Sequence, residues 1–374
     1  MLAVAFWLCC ILLVYVYAIY PVLVRVLARR FGSPLVDSSF LPSITIIVTV
    51  YNEERCIAAK LENLLGLDYP RDRYNVLVVS DGSTDRTGAI LREHAHNPRV
   101  QVLMNQLGRG KACGLNDAVS VATGEVVIFT DVRQKIETSA IRLLMESFAD
   151  PEVGCVSGAL MLGDAESGEA AKGMGLYWRI EKKIRELESD SGSVVGATGA
   201  LYAVRRELLT SVPEGTILDD VYIPMQVVRQ GKRVIFEPRA RAWDSPDLGA
   251  EREFARKVRT LSGNYQLVQL APWLLTSKNP VRFEFVSHKL LRLAVPFALA
   301  AVLTASVFLS GVLYRTALAL QVAFYGLSLL AGLRLTREPW AGMADAALTF
   351  VVLNTAAAVA FVNFLTGRKA VWIR

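Results

Sequence analysis

"SITIIVTVYNEE", residues 43–54, is an unbroken run of apolar and β-branched residues that ends in a polar turn, with a helix following through Leu65. The same layout returns at "YNVLVVSDGSTDRT" (74–87), where the run stops at Asp81-Gly82. Ser83 or Thr84 is placed there to cap the next helix. "RVQVLMN" (99–105) reads as a third strand, Lys111–Ala122 as a helix and Glu125–Thr130 as a fourth strand. Strands that are apolar throughout are buried on both faces. Their alternation with helices predicts an α/β fold with a mainly parallel sheet covered on either side. Ligands bind outside the carboxyl ends of such strands, and Asp81 and Asp131 both fall on that edge.

Outside this region the hydropathy changes. The 374-residue chain is 53% hydrophobic with a positive mean hydropathy. Leu2–Val24, Leu293–Leu313, Thr316–Leu333 and Ala346–Gly367 carry no charge at all. A helix crosses the hydrocarbon core with roughly 20 apolar residues, so each stretch is a candidate span, Thr316–Leu333 being the shortest. The first run is too long for a signal peptide and lacks a basic n-region, so it reads as a retained anchor. Arg25, Arg29 and Arg30 flank its inner end, and the positive-inside rule places residues 25–292 in the cytoplasm. Three further spans put Arg368, Lys369 and Arg374 outside; either one stretch does not cross or the tail breaks the rule. "NPVRFEFVSHKLLRL" (279–293) opens with Pro280 at a helix N1 position and mixes aromatics with bases. That composition suits a helix in the membrane interface, with His288 as interfacial packing. The expected division is an anchor at 1–30, a cytoplasmic domain at 31–270, an interfacial segment at 271–292 and membrane helices at 293–374.

The net charge is +6, yet residues 25–292 hold 35 bases against 33 acids. A nearly neutral domain argues against nucleic acid as a partner. The five cysteines show no CxxC spacing, hence neither a disulfide framework nor a zinc site. The spans lack the ionisable residues that mark transport pathways. "GRGKACG" (108–114) is not a Walker A motif: Asn105 stands where its first Gly belongs, and Ala112 replaces Ser/Thr. What remains is Lys111 between glycines at a helix start, a place where anions bind or a solvated lysine sits. Asp219 and Asp220 open another helix, where capping and the macrodipole are the ordinary explanation. Tyr177, Trp178 and "RIEKKIRELESD" (179–190) read as a helix with a solvated amphipathic face, an acceptor platform being the alternative.

"VYNEE", "VVSDGSTDRT", "GRGKACGLNDAVSVATGEVVIFTD", "GATGALYAVRREL", "LDDVYIPM" and "RKVRTLSGN" occur in that order across residues 43–265. Together they resemble the membrane-bound family 2 glycosyltransferases, the group that includes cellulose- and hyaluronan-synthase-like enzymes. The resemblance implies a GT-A fold and inverting transfer from a nucleotide-sugar donor, usually a UDP-sugar, to a lipid-linked or glycan acceptor at the membrane. It implies that Tyr51, Glu53 and Asp81 hold base and ribose with Lys111 nearby. It also implies that Asp131 binds Mg²⁺ or Mn²⁺ on the donor diphosphate, that Asp220 is the catalytic base and that Arg259 contacts the pyrophosphate. Three departures bear on this. Thr49 replaces the Pro before Tyr-Asn-Glu. Arg133 replaces the second Asp of Asp-x-Asp, which predicts a more weakly held metal. Arg256 and Thr260 replace the Gln and Trp of the processive signature, which favours addition of one or a few sugars. Arg133 either binds phosphate through its planar fork or turns away to pair with an acid such as Glu137. A non-catalytic nucleotide-sugar-binding membrane protein is the competing reading, and it has no need of Asp220 or Arg259.

Overall fold

The structure, a computed structural model, describes residues 1–28, 34–163, 176–244, 250–336 and 340–367. Arg29, Arg30, Arg368, Lys369 and Arg374 lie outside the described residues, as do the side chains of Tyr177 and Trp178. Eight strands form one sheet: β1 (Ile44–Val50), β2 (Tyr74–Asp81), β3 (Val100–Asn105), β4 (Val126–Phe129), β5 (Lys135–Ile136), β6 (Val153–Leu162), β7 (Tyr202–Arg205) and β8 (Arg233–Asp244). Their order is β3-β2-β1-β4-β7-β6-β8-β5. β1 pairs in parallel with β2 and β4, Ile44 facing Tyr74 on one side and Val126 on the other, and β3 continues in parallel from β2. β7 runs antiparallel between β4 and β6. The sheet is therefore mixed: β3, β2, β1 and β4 are parallel as read from sequence, β6 and β8 pair in parallel beyond them, and β7 and β5 run the other way. Four-residue β7 follows a glycine-rich loop, and a run that short carries no signal of its direction.

The helices are α1 (Leu2–Val14), α2 (Tyr20–Leu27), α3 (Ile57–Leu65), α4 (Thr87–His94), α5 (Lys111–Val121), α6 (Ala140–Glu146), α7 (Leu176–Asp190), α8 (Asp219–Arg229), α9 (Ala250–Leu270), α10 (Arg282–Glu284), α11 (Leu291–Phe308), α12 (Val312–Gly332) and α13 (Ala341–Leu365). Successive strand residues face opposite ways, which splits β1 between two cores. Ile46 and Val48 pack with Leu61 and Leu64 of α3 and Leu144 of α6. Ile47 and Leu77 pack with Leu115 of α5 and Val221 of α8. Full burial of each such side chain contributes about 1.5–3 kcal/mol. α4 starts at Thr87, whose amide donates to Asp85 Oδ1 at 2.9 Å. The expected caps, Ser83 and Thr84, are engaged elsewhere.

Four helices among the described residues are long and apolar enough to cross a membrane: Leu2–Leu27, Arg282–Phe308, Val312–Gly332 and Ala341–Leu365. The segment read as interfacial is continuous with the next helix. The helix begins at Arg282, two residues after Pro280, and passes through a π-helical turn at Phe285–Leu290 directly into α11. The solvated reading of α7 is revised. Glu188 accepts from Tyr20 Oη at 2.5 Å and bonds His288 Nδ1 at 2.6 Å. Glu181 bonds His288 Nε2 at 2.9 Å and Arg292 Nη1 at 2.6 Å. His288 and Glu188 are buried, so a polar joint ties the first span and the base of the second to α7. The candidate spans also press on the sheet domain directly: Ala356 and Ala360 of α13 meet Val258 of α9, and Tyr265 stacks on Phe364 at 5.0 Å.

Candidate active site

The turns after β1 and β2 brace each other. Asn52, at φ +54°, donates its amide to Ser83 Oγ at 3.2 Å and accepts from the Thr84 amide at 2.8 Å. The Glu53 amide donates to Thr87 Oγ1 at 2.9 Å, the Glu54 amide to Asp85 Oδ2 at 3.1 Å and the Arg86 amide to Glu54 Oε2 at 3.1 Å across the same gap. Asp81 is buried, and its carboxylate accepts from the Arg109 amide at 3.1 Å and the Gly110 amide at 2.7 Å. It therefore organises the loop ahead of Lys111. Gly108 rests so closely on Gly82 that a Cβ at 82 would stand 2.3 Å from its nitrogen. The exposed ring of Tyr51 borders the same loop. Glu53 is half-buried; burial raises its pKa and the Arg133 charge opposes that rise.

Asp131 leaves the end of β4 on a pinned turn. Lys60 of α3 donates to Thr130 Oγ1 at 2.9 Å and to the Gln134 carbonyl at 2.7 Å, and Thr130 donates to the Ala200 carbonyl at 2.7 Å. Lys60 is buried, which pushes its pKa down to about 7 against the pull of Asp131. The motif reading missed this lysine. The signal was its place on the stripe Ile57, Lys60, Leu61, Leu64, the face that α3 buries.

Lys111 Nζ lies 3.0 Å from Asp131 Oδ1 and 3.2 Å from Asp219 Oδ2. Burial pulls its pKa down, but Asp131, Asp219 and Asp220 outweigh that and hold the ammonium charged. Asp219 is only 4% exposed and makes no side-chain cap to α8. Its role as a mere cap is thus corrected: it is a wall of the site. Asp220 Oδ2 accepts from the Gly199 amide at 3.1 Å. A Cβ on Gly199 would stand 3.3 Å from Asp131 Oδ2 and 3.4 Å from Asp220 Oδ2, so the missing side chain leaves the space between the two carboxylates open. Burial first and Asp219 second raise the Asp220 pKa to about 6, with Lys111 and Lys289 opposing. Arg259 of α9 is half-buried, which lowers its pKa, and Asp131, Asp219 and Asp220 oppose that shift. Arg133 is exposed and its charge reaches Glu53 and Arg259. Glu137, offered as its partner, instead accepts from Trp243 Nε1 at 2.8 Å and faces Arg241 at 3.7 Å. Arg256 pairs with Asp244 at 3.4 Å, and the Thr260 hydroxyl bonds back to the Arg256 carbonyl at 3.0 Å.

Among the described residues no group of three acidic, His or Cys side chains could hold a metal unaided. The residues nevertheless fit a cation: Lys111 already bridges Asp131 and Asp219, and the cradle at Gly199 is open beside them. Mg²⁺ needs only one or two protein carboxylates when phosphate oxygens complete its shell.

Residues 45–212 match the model of glycosyl transferase family 2. Over 196 residues the chain is 29% identical to a beta-monoglucosyldiacylglycerol synthase of Synechocystis sp., covering 50% of this chain and 40% of that protein. Over 221 residues it is 25% identical to the poly-beta-1,6-N-acetyl-D-glucosamine synthase of Staphylococcus aureus, covering 56% and 52%. The chain thus spans about half the length of the curated relatives it matches. Among solved structures it is similar to the mannosyltransferase PcManGT of Pyrobaculum calidifontis in complex with GDP-Man and Mn²⁺. The TM-score is 0.75 at 25% identity, over 97% of this chain and 99% of that one. Sequence motifs, sheet order and these likenesses agree: residues 45–212 match glycosyl transferase family 2, and the domain that holds them has a GT-A fold.

Proposed function

We propose that the protein is an inverting glycosyltransferase that moves a sugar from a nucleotide-sugar to a lipid or glycan acceptor held at the membrane. One observation carries this reading: Asp131 and Asp220 face the open space at Gly199, with Lys111 and Arg259 alongside. Tyr51, Glu53 and Asp81 border the end of the crevice that takes the nucleotide. Lys111, Arg133 and Arg259 supply positive charge to the diphosphate as it departs, the point at which negative charge grows. Asp131 would hold a divalent ion, which when bound would add to that neutralisation. Asp220 takes the proton of the attacking acceptor hydroxyl, and attack from the face opposite the diphosphate inverts the anomeric centre. A base with a pKa near 6 is largely unprotonated at neutral pH while still able to accept a proton. The four apolar helices cross the membrane, and Arg25 at the end of the first keeps the catalytic domain cytoplasmic.

Membranes containing the protein, incubated with a panel of radiolabelled UDP- and GDP-sugars, should yield label in the solvent-extractable lipid or in a short glycan. No transfer from any donor would sink the proposal. A long polymer from the purified protein alone would overturn the short-addition reading. Mg²⁺ or Mn²⁺ titrated into chelator-treated protein should restore activity with weak affinity, and Arg133→Asp should tighten it. Full activity in chelator would show that the cationic side chains suffice.

A further inference from the structure

Lys289 belongs to the π-helical turn that leads into α11, beside His288 and the joint with α7. Its charge acts on Asp220, on Arg185, and on Glu181 and Glu188. The two glutamates are already matched: Glu188 by His288 and Tyr20, Glu181 by His288 and Arg292. Among the described residues no carboxylate lies within ion-pair distance of Lys289 or of Arg185. Arg185 donates one bond, to the Gly196 carbonyl at 3.1 Å, and lies over the Phe236 ring at 5.4 Å. Gly196 opens the segment that wraps Asp220, since the Ala197 amide donates to the Asp220 carbonyl at 2.7 Å and the Gly199 amide to its side chain. Two half-buried cations that repel each other therefore stand next to the proposed base, with N–H donors to spare.

The same helix connects this position to an apolar space. Lys289, Arg292, Pro296, Ala300 and Leu303 recur at the spacing of a single helical stripe. Pro296, Leu299, Ala300 and Leu303 line an open cavity of about 290 Å³, with Phe350 and Ala358 of α13 on its other side. Charge at the foot of a candidate span and an apolar cavity farther along it match a ligand with an anionic head and a hydrocarbon tail.

We propose that Lys289 and Arg185 form a phosphate-binding subsite on the acceptor side of Asp220, and that it takes the phosphate of a membrane lipid whose chain lies between α11, α12 and α13. This rests on the reading of the acceptor as membrane-held and names its chemical class. The phosphate relieves the repulsion between the two cations, and it anchors the lipid while its nucleophilic oxygen faces Asp220.

The test measures binding on the full chain in detergent, so it stays readable even if no donor supports transfer. Dioctanoyl phosphatidic acid, dibutanoyl phosphatidic acid, dioctanoylglycerol and inorganic phosphate are titrated while thermal stabilisation is followed. The dioctanoyl phosphatidic acid should bind best. Lys289→Gln should weaken it about tenfold, the scale of one charge-assisted contact, and Lys289→Arg should restore most of it. Equal stabilisation by inorganic phosphate, or by the dibutanoyl compound, would overturn the lipid assignment and leave a site for free phosphate. Equal binding of dioctanoylglycerol, or an unchanged affinity in Lys289→Gln, would overturn the subsite and leave Lys289 as a counter-ion of Asp220.

Discussion

Asp219 and Asp220 are adjacent in the chain but differ in surroundings. Asp220 holds the Gly199 amide beside open space, whereas Asp219 is buried against Lys111. Asp220→Asn should lower kcat about a hundredfold or more, as expected for a lost general base, with little change in donor KM. Asp219→Asn should raise donor KM by loosening Lys111. Because Asp219 helps to raise the Asp220 pKa, this variant should also shift the acid limb of the pH–rate profile to lower pH than in wild type. Identical kinetic effects of the two substitutions would refute the division of roles. The stability sign follows from the same shift. The folded-state pKa lies above the ordinary carboxylate value of about 3.9, so folding favours protonated Asp220. Its contribution is fully present below about pH 4 and is lost as pH rises through about 6. Asp220→Asn should therefore melt higher than wild type at pH 7, a thermal scan being the check. A lower melting temperature would show that the bond from Gly199 outweighs the desolvation cost.

At the scale of the element, the turn after β2 depends on a loop from farther along the chain. Gly82 has φ +72°, and any side chain there would collide with Gly108. Gly82→Ala should cost at least about 2 kcal/mol in denaturant unfolding. It should also raise donor KM, because Asp81 loses the amides of Arg109 and Gly110 as the loop lifts away. Unchanged stability and KM would mean that the loop is not anchored at Gly82. The Asp-Gly turn was legible as a turn. That residues 108–110 seat on it was not, since the contact joins segments about 25 residues apart. The same applies to Lys60, visible as a charge on a buried stripe but without its acceptors, Thr130 and Gln134.

For the whole molecule, the joint of Tyr20, Glu188, His288, Glu181 and Arg292 decides whether the candidate spans and the GT-A domain behave as one unit. His288→Ala leaves Glu188 without its ring partner in a buried place, and breaking a buried pair costs about 3–5 kcal/mol. Tyr20→Phe removes one bond to Glu188 and should cost about 1–3 kcal/mol. Thermal melts of the full chain in detergent should rank wild type above Tyr20→Phe and Tyr20→Phe above His288→Ala. Equal melting of all three would show that the joint contributes nothing. α9 adds a second connection, since the helix that carries Arg259 packs on α13.

The unbroken apolar strands, the strand-end acids and the four uncharged runs were all readable from sequence, because each depends on residues near one another in the chain. They determined the parallel run of β3, β2, β1 and β4, the sheet edge where the strand-end acids lie and the candidate spans. Ordered motifs added Asp131, Lys111, Asp220 and Arg259 by resemblance, and the structure brings these four together. Only the tertiary structure decided that β7 reverses direction, that Asp219 is a buried partner of Lys111 rather than a cap, and that α7 turns two glutamates inward to His288. Each of these is a pairing across tens to more than a hundred residues. Local periodicity records which face of a helix is apolar; a charge on that face reveals its purpose only when the opposite charge arrives from another element.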